Sequence, residues 1–280
     1  MSKQMFRLQA IFVTLAAAAA AVLAGVMTTS ASTGSNTVTP EEAGYKATGA
    51  QFRYVQASVY LRDPIPYDPY GSGWYQHSLQ LRSSNEVIVL GAGIWTNPLN
   101  ALQYQPSFMV YDPATHVAIA WLGSPGVTAT WCDNRGCSGA TQGSGNFPNG
   151  EIISGSLFYS RSTGDVKFKL SDTHGRVLRG SYFAGLGESF KSARIGTEFT
   201  VEGPFSSPNS WIQPPSSMRI ASFSNVALTT YSGHRTGLYA WWTHSKLLAR
   251  MTFSPQLWMA SPGGLRASGS AFRVKLTGAG

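Results

Sequence analysis

The stretch Ser192-Ala193-Arg194-Ile195-Gly196-Thr197-Glu198-Phe199-Thr200-Val201 decides the fold. In an extended chain successive side chains point to opposite faces. Ala193, Ile195, Thr197, Phe199 and Val201 then share one face, which suits a core. Arg194, Gly196, Glu198 and Thr200, continued by Glu202, share the other. In a chain with only 12% charged residues, an arginine and two carboxylates on one strand face mark a candidate site.

The same period of two recurs along the chain. Val55, Ala57, Val59 and Leu61 alternate with Tyr54, Gln56, Ser58 and Tyr60. Val166, Phe168 and Leu170 alternate with Lys167, Lys169 and Ser171. The spacing predicts strands over 51–61, 78–81, 86–95, 106–111, 117–122, 127–131, 151–160, 166–171, 176–183, 192–201, 218–230, 239–251 and 271–276. Proline-rich breaks such as Asp63-Pro64-Ile65-Pro66 and turns such as Asp112-Pro113-Ala114-Thr115 separate them. Trp74 and Tyr75 read as loop residues, and the segment 204–215 as a loop inside one domain. Many short antiparallel strands at this spacing predict an all-β, two-sheet antiparallel β-sandwich or jelly roll.

The first part of the chain has a different character. Lys3 and Arg7 precede an apolar, alanine-rich run from Ile11 to Met27 and then Thr28, Thr29, Ser30 and Ala31. This is the layout of a secretory signal peptide over 1–31, cut near Ala31 or Ala24, and alanine is weakly apolar for a retained membrane anchor. Residues 32–42 read as a flexible lead-in, and 43–280 as a single β-sandwich domain, within the usual size of all-β domains. Loss of Lys3 and Arg7 lowers the formal charge from +8 to +6. The remaining basic residues are scattered, which disfavours a nucleic-acid partner. Cys132 and Cys137, in an exported chain, read as a small disulfide loop. No histidine has ligands at metal spacing, so neither a metal nor another cofactor is expected.

Several motifs in series resemble the eqolisins, the glutamic peptidases. They are Gly44-Tyr45-Lys46-Ala47-Thr48-Gly49, Leu90-Gly91-Ala92-Gly93, Phe108-Met109-Val110-Tyr111-Asp112-Pro113 and Ala193-Arg194-Ile195-Gly196-Thr197-Glu198. The resemblance implies a concanavalin-like sandwich and a glutamine–glutamate pair on neighbouring strands of a concave sheet. It assigns the glutamate to Glu198 and the glutamine to position 91, which is glycine. A supporting glutamate falls on Val110, and the first glutamate of the last motif on Arg194. Gln80, on a preceding short strand, is the candidate replacement amide.

These departures favour a secreted, non-peptidase binding or accessory protein, with a peptide or polysaccharide ligand in the concave groove and no membrane anchor after signal cleavage. Arg194, Glu202, Trp95 and Tyr111 are the candidate ligand contacts. The alternative is a divergent, acid-acting glutamic endopeptidase using Glu198. A glycosidase would need two carboxyls about 5–10 Å apart; Glu198 with Glu202 or Glu86 is the conceivable pairing.

Overall fold

Alternation of buried and exposed residues becomes a ladder of paired strands. The computed structural model describes residues 36–39, 42–61, 72–96, 103–202, 220–238, 243–253 and 256–277. Their strands are β1 (Asn36–Thr39), β2 (Glu42–Thr48), β3 (Phe52–Tyr60), β4 (Ser72–Arg82), β5 (Val87–Thr96), β6 (Gln105–Tyr111), β7 (Ala118–Trp121), β8 (Val127–Asp133) and β9 (Gly136–Gly139). They continue with β10 (Ile152–Ser160), β11 (Asp165–Ser171), β12 (Val177–Phe183), β13 (Ser192–Glu202), β14 (Ile220–Thr230), β15 (Arg235–Thr236), β16 (Thr243–Phe253), β17 (Gln256–Pro262) and β18 (Phe272–Thr277).

One layer runs β16-β2-β13-β4-β5-β6-β7. The other runs β18-β14-β3-β10-β11-β12-β8-β9. All of these pairings are antiparallel, and β17 joins the layers by pairing with both β16 and β18. This is the expected two-sheet sandwich.

The core lies between the layers. Tyr45, Leu79, Leu81, Ile88, Leu90, Phe108 and Ile195 come from the first sheet, and Val55, Leu157, Phe168, Leu178, Phe223 and Leu228 from the second. All are buried, each large side chain contributing roughly 1.5–3 kcal/mol. Phe108 stacks on Phe168 with ring centroids 4.1 Å apart, and Tyr45 meets Phe272 edge-on at 5.0 Å. These contacts fix which face of β13 is inside: Ala193, Ile195 and Thr197 are buried there. Arg194, Gly196 and Glu198 therefore share the opposite face.

β2 and β13 approach unusually closely. Gly44 and Gly196 are register partners, and a Cβ on Gly44 would lie 2.1 Å from the Ile195 carbonyl oxygen. Only glycine fits there, and the close pairing draws the Glu42 end of β2 against Glu198.

Some expectations change. β4 runs eleven residues, so Trp74 and Tyr75 belong to a strand rather than a loop, and the strand is far longer than the 78–81 core read from apolar alternation. Polar residues on its outer face broke the hydrophobic pattern. The lead-in expected over 32–42 contains β1, parallel to β16, and the first residue of β2. The leader over 1–31, the loop over 204–215 and residues 239–242 of the expected strand 239–251 lie outside the described residues.

Candidate functional site

The outer face of the first sheet carries polar side chains in cross-strand rows. One row is Glu42 (β2), Glu198 (β13), Gln76 (β4) and Gly93 (β5). The next is Gly44, Gly196, Ser78, Gly91 and Ser107 on β6. The third is Lys46, Arg194, Gln80, Val89 and Met109. The middle row holds nothing larger than serine, so side chains of the two flanking rows can reach one another across it.

Glu198 is half-buried and accepts hydrogen bonds from three side chains of β4. Gln76 Nε2 donates to its Oε2 at 2.9 Å, and Gln80 Nε2 donates to its Oε1 at 2.5 Å. The Ser78 hydroxyl also donates to Oε1. The two amides are themselves oriented. Arg82 Nη1 donates to Gln80 Oε1 at 3.0 Å, and a guanidinium has only donors, so the Nε2 of Gln80 must face Glu198. Ser107 Oγ donates to Gln76 Oε1 at 2.7 Å from two strands away. Gln76, Gln80, Ser78 and Ser107 are all buried.

A second carboxyl stands directly across the β2–β13 pair. Glu42 is buried, and Arg194 Nη1 donates to its Oε2 at 2.6 Å. Burial pushes the Glu42 carboxyl above its ordinary range and the charge of Glu198 adds to this, while Arg194 opposes it. Burial lowers Arg82 to about 10, helped by the charge of Arg194. Lys46 is also lowered, by burial and then by Arg194 and Arg82.

The candidates read from sequence fall as follows. Glu198 and Gln80 come together in one hydrogen-bonded cluster. Arg194 lies in the same face but is bound to Glu42, consistent with the separation of about 13 Å that four residues along one strand impose on Arg194 and Glu198. Tyr111 is half-buried at the far side of the face, its hydroxyl 2.9 Å from Met109 Sδ. Trp95 pairs with Trp74 between β5 and β4, and Glu202 with Ser72 between β13 and β4; their side chains lie outside the description. Cys132 and Cys137 are register partners in the β8–β9 hairpin and form a disulfide with Cα atoms 4.1 Å apart.

Two motif assignments change meaning. Gly91 is on β5, and β4 lies between it and Glu198. A Cβ at position 91 would sit 2.9 Å from Gln76 Oε1 and from the His77 carbonyl oxygen. Glycine there makes room for the Gln76 amide, so the strand beside Glu198 has its glutamines after all. Val110 is fully buried in the core, on the face away from the site, so a glutamate there would not support Glu198. Glu86, considered as a partner for Glu198, instead accepts the Tyr182 hydroxyl at 3.0 Å.

Sequence reasoning missed Gln76, Ser78, Ser107 and Glu42. Gln76, Ser78 and Gln80 repeat with period two, which was the available signal.

No protein-family model matches the sequence, and no curated protein does. Solved structures do match. A crystal structure of scytalido-glutamic peptidase with a transition-state analogue inhibitor is 13% identical with a TM-score of 0.54, covering 86% of this chain and all of that one. SCP-B, a member of the eqolisin family in complex with the tripeptide Ala-Ile-His, is 11% identical with a TM-score of 0.51 over the same shares. The chain therefore has the antiparallel β-sandwich fold of the eqolisin glutamic peptidases.

Proposed function

We propose that this face is the active site of a divergent glutamic endopeptidase acting outside the cell. The observation that carries the reading is the hydrogen bonding of Glu198 by Gln76 and Gln80 on the adjacent strand. In the proposed reaction Glu198 takes a proton from a water as that water attacks the peptide carbonyl carbon. Each glutamine amide has two N–H donors, and one is engaged with Glu198. The second N–H of Gln76 stabilises the developing oxyanion, for which one well-placed donor contributes roughly 10²–10³-fold in rate. Glu198 then returns the proton to the leaving amine nitrogen, the C–N bond breaks, and the carboxyl is ready for another cycle. Ser78, Gln80 and Arg82 are positioning residues: they hold the carboxylate and one another in place. Export is supported by the basic, apolar and small-residue order over 1–31 and by the cysteine pair.

Digestion of a denatured protein by the purified chain from pH 3 to pH 7 tests this. Cleavage that disappears in Glu198→Gln is expected. An intact substrate at every pH returns the chain to the binding or accessory role for a peptide or polysaccharide.

A further inference from the structure

We propose that Lys46, Arg194 and Arg82 form a subsite for a carboxylate carried by the bound peptide, either an acidic side chain or the C-terminal carboxylate. The inference rests on the reading of this face as a peptide site.

Lys46 and Arg194 are register partners, and Arg82 pairs with Ser192 one row further along. Three cations thus share one corner of the face, beside the row of small residues. Glu42 and Glu198 are the carboxylates beside them: Arg194 holds Oε2 of Glu42, and Gln76, Ser78 and Gln80 hold Glu198. Arg194 spends Nη1 on Glu42, but its Nε is buried and has no hydrogen-bond partner among the described residues. Lys46 is half-buried, and no described residue pairs with its ammonium. Burial lowers Lys46 and Arg82, and the neighbouring cations add to it: Arg194 and Arg82 lower Lys46, and Arg194 lowers Arg82, while Glu42 offsets part of this at both and Glu198 at Arg82.

Three crowded, partly desolvated cations against two carboxylates leave a positive corner that one further anion would stabilise. The guanidinium fork matches a carboxylate, and the lysine adds a point charge. A neutral amide of the same shape offers neither charge nor two equivalent acceptors. A glutamate in the substrate should therefore be preferred over glutamine by about tenfold or more.

Quenched-fluorescence peptides test this at pH 6, where a glutamate side chain is ionised. One series scans glutamate against glutamine with the C-terminus amidated; a second keeps glutamine and frees the C-terminal acid. We expect one series to show a preference of about tenfold or more in kcat/KM, and the series that does so identifies the source of the carboxylate. Lys46→Gln should collapse that ratio towards one, and Lys46→Arg should retain it. Cleavage with ratios near one in both series overturns the subsite and leaves the peptidase reading standing. If no peptide is cut, the same peptides are titrated against the protein by tryptophan fluorescence. A Lys46-dependent preference in binding then upholds the subsite and sinks the hydrolytic reading. Equal binding overturns the subsite.

Discussion

His77 sits on β4 between Gln76 and Ser78, but its ring points the other way, into the core. Its Nδ1 lies 3.0 Å from Thr197 Oγ1, and the rings of Tyr104 and Phe223 have centroids 5.9 Å away. Burial lowers it to about 4, from an ordinary 6.5. Between those values the unfolded chain binds a proton that the folded chain does not. The unfolded state is then favoured as pH falls, so stability rises with pH through this window. A difference of about 2.5 units at roughly 1.4 kcal/mol per unit makes the loss about 3 kcal/mol between pH 7 and pH 4. His77→Gln keeps a polar partner for Thr197 and removes the titration. Urea unfolding of both proteins at pH 7 and pH 4 reads the difference. Wild type should lose about 3 kcal/mol more than the variant over that interval. Identical pH dependence in the two proteins would refute the claim that a neutral, desolvated histidine braces β4 against β13 behind Glu198.

Three further outcomes follow from the same geometry. Glu86 is raised to about 7, chiefly by burial, so its contribution is present below about pH 4.5 and is lost as pH rises through 7. Glu86→Gln should raise stability at pH 8, by about 3 kcal/mol at most, and leave it unchanged at pH 4; no gain at pH 8 in urea unfolding would contradict this. Gly91→Ala forces a Cβ to within 2.9 Å of Gln76 Oε1 and of the His77 carbonyl. It should cost about 1–3 kcal/mol in stability and lower peptide hydrolysis about as far as Gln76→Ala does, and wild-type values in both assays would remove the packing argument. Removing the disulfide by Cys132→Ser with Cys137→Ser should cost about 2 kcal/mol, because the loop it closes is short; a loss of 4 kcal/mol or more would mean that the hairpin supports more than its own tip.

The sandwich was legible because core packing imposes a period of two that survives in sequence. The alternation at Val166–Ser171 is reproduced by β11, with Val166, Phe168 and Leu170 buried. Glu198 was legible for the same reason, being a carboxylate on the polar face of a strand whose other face is mostly apolar. Its partners were not. Gln76 and Gln80 reach Glu198 only through the pairing register of β4 with β13, a non-local quantity that neither strand encodes alone. Matching motifs by order placed the glutamine at position 91, two strands from Glu198, and hid the fact that an empty position there admits a side chain from β4. Glu42 was obscured because its strand opens with a buried carboxyl whose ion-pair partner, Arg194, lies far along the chain.

The central claim is that Glu198 and Gln76 act as one hydrolytic unit. It is tested most directly by kcat/KM on a single cleavable peptide for wild type, Glu198→Gln, Gln76→Ala and the double variant. Glu198→Gln and Gln76→Ala should each lower the value by about 10²-fold or more, with the double variant no worse than the poorer single one, as for residues that work together. Wild-type turnover in Glu198→Gln, or losses in the single variants that simply multiply in the double, would contradict it.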